Sequence, residues 1–449
     1  MLTRYTLAPM RQLWGREEAK FEFWLKVELA ILKARVQLGD LSPEAFSAIS
    51  KNASFTVARI NELEAEFDQD MIAFVVTVQE SLTAAGVEEF APELHKGVTS
   101  YDIEDPALIL MLREANTLVL EELRRLRDAL SQKAKEHQWT LMIARTHGQY
   151  AEPTTFGQLL LVCAEAMQRS IARLEQAEFN EGKISGAVGT YAGINPEIEF
   201  LALRELGLKP AHAETQILQR DRHAAYLADL AIAAATIEQM SRTFWEMMRS
   251  DAHELEEPRS ERQRGSSAMS HKKNPILTER LMGMPRLIRG YAHTAMENVA
   301  TPEARDISQS SVERHIFPDA TALVHYMASR ATTLVARLVV FKDRMRDNLE
   351  NRTHGVWATQ QVRITLMNEG ISYDAAYLYT QQAAFNAVER SVHMQEVLSE
   401  MPISREDSRT ARDVLGEGKL VQCFNADAYV RPGISHIFCV AGAVVSQPR

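Results

Sequence analysis

Four polar segments of the sequence contain side chains that could do chemistry. The first, residues 95–102, reads His-Lys-Gly-Val-Thr-Ser-Tyr-Asp. Its imidazole, hydroxyls and carboxylate could hold a polar ligand at the start of a helix, where free backbone N–H groups favour anions. Helix capping is the alternative, because Ser or Thr ahead of Asp is typical of an N-cap. The segment alone leaves both roles open.

The second segment, residues 145–149, reads Arg-Thr-His-Gly-Gln, and Pro and Thr follow it at 153–155. His147 could act as a general acid, since an imidazole titrates near neutral pH. A structural His in a turn is the alternative for this position.

The third segment, residues 265–275, follows a strongly charged stretch and predicts an exposed loop with a glycine hinge. Its adjacent serines could hold a carboxylate through backbone N–H groups and a hydroxyl, and Lys272 adds a positive charge. A solvated surface loop is the alternative.

The fourth segment, residues 305–314, places Arg305, Ser310 and Arg314 at successive spacings of five and four. Two guanidinium groups and a hydroxyl could surround one phosphate, whose oxygens suit the fork geometry of Arg. Ion pairing within the segment, through Asp306 and Glu313, is the alternative.

Composition excludes several classes of protein. The chain has 449 residues with 60 acidic and 50 basic side chains, a formal net charge of −10. This balance disfavours non-specific binding to nucleic acid or to an anionic membrane, so neither partner is expected. The three cysteines are far apart, which argues against a disulfide framework and a thiolate zinc site.

The sequence also contains no recognisable signal for secretion, membrane insertion or cofactor binding. The sequence shows no secretory signal and no apolar run of about 20 residues, so a cytoplasmic location is expected. No metal-ligand spacing, dinucleotide-binding glycine motif or P-loop appears. We therefore expect neither a metal nor an organic cofactor.

Apolar residues that recur every three or four positions predict the elements that carry these segments. One such stripe runs from Leu112 to Leu130 and another from Leu227 to Met248, which predicts long helices packed side by side. Ser42-Pro43 is typical of a helix start. Ser404–Asp407 resembles a cap, and 429–432 predicts a break.

Little in the sequence indicates a sheet. We predict an all-α protein with a helical domain at 1–98, a central long-helix bundle at 99–342 and a helical domain at 343–449. The central bundle would carry the loop at 262–275.

The third segment, GSSAMSHKKNP, resembles the GSSxMPxKxNP signature of the fumarase/aspartase superfamily. Within it, the chain is most similar to the adenylosuccinate lyase family. The resemblance implies a three-domain helical fold and a homotetramer whose active sites are shared between subunits. The matching motifs are Arg4-Tyr5, HxGxTSxD at 95–102, RTHGQ at 145–149, KxSGAVGT at 183–190, Gln216 in TQILQRDRH, and RDISQSSVERHIFPDA at 305–320.

The resemblance also implies a carbon–nitrogen lyase of purine nucleotide biosynthesis. Such an enzyme eliminates fumarate from adenylosuccinate to give AMP, and from the succinyl-carboxamide imidazole ribotide SAICAR to give AICAR. Ser266 would be the general base and His147 the general acid. Lys272 and Asn274 would hold the succinyl carboxylates, with His95 as a further catalytic residue. The implied substrate-binding residues are Arg4, Tyr5, Gln69, Asp70, Thr99, Ser100, Gln216, Ser267, Met269, Arg280, Arg305, Ser310 and Arg314.

The chain departs from that family's pattern at three positions. Gln69 stands where family members usually carry His, and an amide cannot carry a proton or a positive charge. Ser270 replaces the usual Pro of the third segment, and Pro106 stands where Thr is common. Two alternatives remain: a related lyase that releases fumarate or a similar acid from a different N-succinyl or dicarboxylic substrate, and a catalytically silent homologue that serves as a scaffold.

Overall fold

The computed structural model describes residues 1–177, 179–260, 262, 264 and 266–445, which are largely helical. The predicted all-α class is confirmed. Gln263 and Gly265 of the predicted loop lie outside the described residues. The chain forms two compact units: the first comprises Met1–Arg125, Met167–Glu238 and Leu281–Ala331, and the second comprises Leu126–Ala166, Gln239–Arg280 and Thr332–Arg449. The three-domain division remains a prediction.

The α-helices follow one another along the chain with short connections. In order they are α1 (Ala8–Trp14), α2 (Glu17–Gln37), α3 (Pro43–Asn52), α4 (Val57–Phe67), α5 (Asp70–Ala84), α6 (Ser100–Glu136), α7 (Phe156–Glu175), α8 (Pro196–Glu205), α9 (Asp221–Met248), α10 (Ile276–Gly283), α11 (Pro285–Glu297), α12 (Ser308–Ala336), α13 (Lys342–Glu350), α14 (Thr359–Asn368), α15 (Tyr373–Arg390), α16 (Met394–Glu400), α17 (Ala411–Cys423) and α18 (Ala426–Val445). Short 3-10 helices cover Thr3–Tyr5, Glu88–Glu93 and Val356–Ala358.

The predicted long helices are confirmed by α6 and α9. The stripe from Leu112 to Leu130 lies on α6, and both of these end residues are at most 1% exposed. On α9, Leu227 and Phe244 are fully buried. Burial of such stripes removes apolar surface from water and stabilises helices that would be marginal in isolation. In the described part of the chain, no helix has the length and apolar character needed to cross a bilayer.

Local signals at helix ends were partly correct. α3 begins as predicted, with Ser42 Oγ accepting a hydrogen bond from Ala45 N–H at 3.1 Å. At the predicted cap, Ser404 Oγ accepts a hydrogen bond from Asp407 N–H at 3.0 Å, but no helix begins there. The next helix, α17, begins after Thr410, which forms a capping box with Asp413. The predicted break at 429–432 is wrong: α18 continues through Pro432.

The helix continues past Pro432 because its flanking side chains are buried. Val430 is 8% and Ile434 5% exposed, and both belong to the apolar core of the second unit. Proline costs roughly 3 kcal/mol in a helix interior, which burial of two branched side chains offsets.

The strands form three two-stranded sheets among the described residues. These short strands agree with the weak sheet signal of the sequence. β1 (Leu141–Thr146) pairs antiparallel with β2 (Gln149–Thr155), β3 (Glu181–Gly182) pairs parallel with β4 (Lys209–Pro210), and β5 (Leu255–Glu256) pairs antiparallel with β6 (Val339–Val340).

The β1–β2 hairpin reverses through a two-residue loop, His147-Gly148. Both residues have positive φ, 54° and 74°, which is the backbone of a type I′ turn. Glycine adopts this conformation at no steric cost. The hairpin thus places His147 at its tip.

Candidate active site

Asp102 organises the first polar segment. Its Oδ1 accepts hydrogen bonds from Lys183 Nζ at 2.5 Å and from the N–H groups of Ser185 and Gly186 at 3.0 and 3.2 Å. Its Oδ2 accepts from Thr99 N–H at 2.9 Å. Asp102 and Lys183 are almost completely buried. This carboxylate therefore caps the start of α6 and joins it to the loop at 183–186.

His95 precedes this cap in a left-handed conformation, with φ 58°. Its Nδ1 lies 2.6 Å from Glu28 Oε1, and its backbone N–H donates to Glu28 Oε2 at 3.2 Å. Glu28 is 1% exposed. A buried carboxylate bound to one ring nitrogen fixes the orientation of the imidazole. Histidines that act in catalysis are commonly held in this way.

Arg305 and Gln216 meet in the first unit, as a shared substrate pocket requires. Arg305 donates to Gln216 Oε1 at 2.9 Å, and Gln216 Nε2 donates to Ala187 O at 2.9 Å. The Arg305 guanidinium carbon lies 4.0 Å from the ring centroid of Tyr101. Stacking and hydrogen bonding hold the guanidinium in one orientation.

Arg314, the second arginine of the fourth segment, is bound by the carboxylate of Asp70. Asp70 Oδ2 accepts hydrogen bonds from Arg314 at 2.7 Å and from Lys20 Nζ at 3.0 Å. Burial raises the pKa of Asp70, but Lys20 and Arg314 outweigh it and leave the pKa below its ordinary value. Asp70 is therefore a carboxylate shared by two cations.

Gln69 has a structural role beside this pair. Its Oε1 accepts from Ile72 N–H and so caps α5, and its Nε2 donates to Ser100 Oγ at 3.2 Å. The amide thus connects the starts of α5 and α6. This dual donor and acceptor role needs no charge on the side chain.

Within the fourth segment, which the structure describes in full, neither Glu313 nor Asp306 forms the ion pair that the alternative interpretation requires. Glu313 binds Arg220 in a bidentate pair at 2.8 and 3.1 Å, and Asp306 accepts from the N–H and Oγ of Ser308. Asp105 binds the same Arg220 at 3.0 and 3.2 Å. This buried cluster joins α6 to α12 and pairs Glu313 with an arginine outside the segment.

Ser310, Arg4 and Tyr5 also lie in the first unit. Ser310 is 9% exposed and lines a cavity of about 390 Å³ together with Arg314. Arg4 and Tyr5 form a short 3-10 helix, in which Tyr5 packs edge-on against Tyr326 at 5.4 Å between ring centroids.

The second unit carries the predicted general base and acid. Ser266 Oγ accepts hydrogen bonds from the N–H groups of Ala268 and Met269 at 3.3 and 3.0 Å. Donors aimed at a hydroxyl oxygen stabilise its deprotonated form, which a serine base requires. His147 is exposed at the hairpin tip.

The hairpin is attached to the same unit through Glu254. Arg145 lies 3.5 Å from Glu254 Oε2, and Asn348 donates to Glu254 Oε1 at 2.8 Å. Glu254 is fully buried. Its neighbour Leu255 begins β5, which leads into the segment with Ser266.

The remaining predicted residues of this unit lie along that loop and in α10. Lys272 N–H donates to Met269 O at 3.0 Å, which closes a turn around Met269. The side chains of Ser267, Met269 and Lys272 are exposed, and those of Asn274 and Arg280 are half-buried.

Comparison with known proteins decides the family. Residues 6–290 match the sequence profile of a family described as Lyase. The chain is 41% identical to adenylosuccinate lyase of Bacillus subtilis (strain 168), over 96% of this chain and 97% of that protein. It is 39% identical to adenylosuccinate lyase of Staphylococcus saprophyticus, over 98% of this chain and the whole of that protein. The chain belongs to the adenylosuccinate lyase family.

A solved structure shows the same fold. The crystal structure of fumarate lyase from Mesorhizobium sp. BNC1 superposes with a TM-score of 0.87, at 24% identity, covering 98% of this chain and 99% of that chain. The predicted fumarase/aspartase-type fold is confirmed.

Three charged residues that contact or adjoin the predicted site residues were not predicted from the sequence. Lys20 lies in the first turn of α2, where a Lys is normally a solvated residue. Its Nζ lies 4.5 Å from the ring centroid of Phe21 and 4.6 Å from that of Trp24. Glu28 and Glu104 were also missed; for Glu104 the available signal was its spacing of four from Ser100 on a helix.

Proposed function

We propose that this protein eliminates fumarate from adenylosuccinate to give AMP, and from SAICAR to give AICAR, in purine nucleotide biosynthesis. The observation that carries the proposal is the identity of about 40% with adenylosuccinate lyases over nearly the whole chain. The chain is a carbon–nitrogen lyase by the same comparison.

In the proposed reaction, Ser266 as the alkoxide removes a proton from the succinyl carbon next to a carboxylate. The electron pair of the broken C–H bond forms the carbon–carbon double bond of fumarate as the C–N bond breaks. His147 gives a proton to the departing nitrogen, so protons and electrons balance. The N–H groups of Ala268 and Met269 support the serine's role, since they already donate to its oxygen.

The negative charge that develops on the substrate needs cations near the succinyl group. Lys272 and Asn274 belong to the same loop as Ser266 and are proposed to bind the succinyl carboxylates. Deprotonation beside a carboxylate places two negative charges close together, and preorganised donors offset this cost. His95, held by Glu28, is proposed to act in the same pocket.

The nucleotide's phosphate is proposed to bind Arg305, Ser310 and Arg314, helped by Arg4, Tyr5 and Arg280. The other substrate-binding residues in the proposal are Gln69, Asp70, Thr99, Ser100, Gln216, Ser267 and Met269. Two guanidinium groups around one phosphate give charge-assisted, paired hydrogen bonds. We also propose that the protein is a cytoplasmic homotetramer whose active sites are shared between subunits.

Fumarate release tests the proposal directly. The purified protein is incubated with adenylosuccinate and, separately, with SAICAR, and fumarate and the product nucleotide are quantified by chromatography. We expect equal amounts of fumarate and AMP, and of fumarate and AICAR. An N-succinyl compound without a phosphate serves as the comparison substrate. Turnover of neither nucleotide would reject the assignment, and preference for the phosphate-free compound would favour the related lyase.

A further inference from the structure

Arg314 belongs to a group of four charged side chains in the first unit. Asp70 Oδ2 accepts from both Arg314 and Lys20. Glu104 lies on α6, one helical turn after Ser100, and lines the same cavity as Lys20 and Arg314. Two cations therefore face two acids, and one of those acids has no direct partner: among the described residues, none donates a hydrogen bond to Glu104.

Apolar and aromatic side chains also line this cavity. Phe21, Trp24 and Met111 line it, and the first two lie against the Lys20 ammonium. Burial raises the pKa of Glu104 to about 7, and the charge of Asp70 adds to the increase, while Arg314 and Lys20 oppose it. Glu104 is therefore the member of the group whose charge changes near neutral pH.

Other charged or titratable groups line the same cavity or act electrostatically on Glu104. They are Arg16 before α2, Glu17 and Lys20 on α2, Glu64 on α4, Asp70 on α5, Tyr101 and Asp105 on α6, and Glu313 and Arg314 on α12. Arg220 pairs with both Asp105 and Glu313, and the charge of Asp105 adds to the rise in the pKa of Glu104. Among these groups, Asp70, Arg314 and Lys20 exert the largest electrostatic effects on Glu104, in that order.

We infer that Glu104 is a positioning residue that sets how firmly Asp70 and its neighbours hold Arg314, and hence the affinity of the site for the nucleotide's phosphate. This inference rests on the proposed function, in which Arg314 binds that phosphate. With Glu104 neutral, the group carries one net positive charge, and a phosphate dianion completes the pairing of Arg314. With Glu104 ionised, the group is neutral and Arg314 has a second acid to balance it.

The test measures AMP binding by calorimetry between pH 7 and 8.5, where the phosphate is almost wholly a dianion, since its second pKa is about 6. In the unmodified protein the Kd should rise about five-fold over this range, at the low end of typical coupling between sites. Glu104→Gln should bind AMP tightly across the whole range. Glu104→Asp should retain the rise, and Glu17→Gln, an exposed carboxylate of the same cavity, should match the unmodified protein.

Proton uptake supplies a readout that a purely structural role would not change. Binding measured at pH 7.5 in buffers of different ionisation enthalpy should show proton uptake by the unmodified protein and a smaller uptake by Glu104→Gln. Equal uptake and an equal pH dependence in the two proteins would overturn the inference.

A second variant covers the case in which Glu104→Gln does not fold. Lys20→Met removes one cation, so Asp70 holds Arg314 alone and AMP should bind several-fold more weakly; unchanged binding would overturn the inference. The two proposals fail differently. No AMP binding and no fumarate release by the unmodified protein would reject the proposed function, whereas AMP binding with no effect of Glu104→Gln would reject only this inference.

Discussion

The Arg305 guanidinium lies over the ring of Tyr101, with 4.0 Å between the guanidinium carbon and the ring centroid. The same group donates to Gln216 at 2.9 Å. Ring and amide together fix a guanidinium that would otherwise sample many rotamers. Because this side chain is already ordered, less conformational entropy is lost when a phosphate binds it.

Arg305→Lys should weaken substrate binding more than it slows chemistry. A Lys keeps the charge but loses the planar fork and the stacking on Tyr101, so we expect the KM for adenylosuccinate to rise roughly ten-fold with kcat nearly unchanged. Steady-state fumarate release measures both constants. Arg337→Lys, an exposed arginine on the chain, is the matched control and should leave both unchanged. A fall in kcat with constant KM would contradict a binding role for Arg305.

Ser266→Ala should abolish most of the turnover while the protein still binds nucleotide. Removing a general base typically costs about 10²–10⁴ in rate. We expect kcat to fall by roughly 10³ and AMP affinity to stay within about two-fold. Rapid-quench analysis of fumarate, with binding by calorimetry, checks both. Ser270→Ala in the same loop should keep near-normal turnover, and a Ser266→Ala enzyme of normal kcat would eliminate the serine as the base.

Asp105→Ala should destabilise the first unit strongly. Asp105 is 1% exposed and pairs with the fully buried Arg220, so its removal leaves a buried cation with one acid instead of two. Loss of one partner from a buried ion pair costs about 3–5 kcal/mol. Urea denaturation followed by circular dichroism measures the free energy of unfolding. Glu62→Ala, which removes an exposed partner of Arg59, is the comparison and should change little; equal effects would show that burial is not the cause.

Glu104→Gln should become more stable than the unmodified protein as pH rises. The folded pKa of Glu104, about 7, lies above its ordinary value of 4.5. The stability that comes from the protonated acid is fully present below the ordinary value and is lost as pH rises through about 7. Gln stays neutral, so the variant should gain about 1–3 kcal/mol relative to the parent between pH 5 and 8.

Thermal melting at pH 5, 6, 7 and 8 checks this expectation. The melting temperatures of the two proteins should nearly coincide at pH 5 and separate progressively towards pH 8. Glu17→Gln should show no such divergence, because that carboxylate is exposed. A constant difference between Glu104→Gln and its parent across this range would contradict a raised pKa for Glu104.

Much of the site was visible in the sequence because its signals are local. The hydrogen bonds to Ser266 Oγ come from backbone N–H groups only two and three positions along the chain. The stripe from Leu112 to Leu130 is equally local, since helix periodicity places its members on one face. Ser42 capped its helix for the same reason. The break predicted at Pro432 was wrong because burial of its neighbours outweighed the local cost of proline.

The order of the amino acids establishes which chemical groups the protein has and that helices carry them. The partner of each charge depends on how the helices pack: Arg314 binds Asp70, Glu313 binds Arg220, and Arg305 binds Gln216. The physical reason is that an ion pair depends on the approach of distant elements, and a pKa depends on the water those elements exclude. Spacing along the chain reveals neither the approach of distant elements nor the exclusion of water. The positions of Lys20 and Glu104 near Arg314 therefore follow only from the packing of α2, α5, α6 and α12.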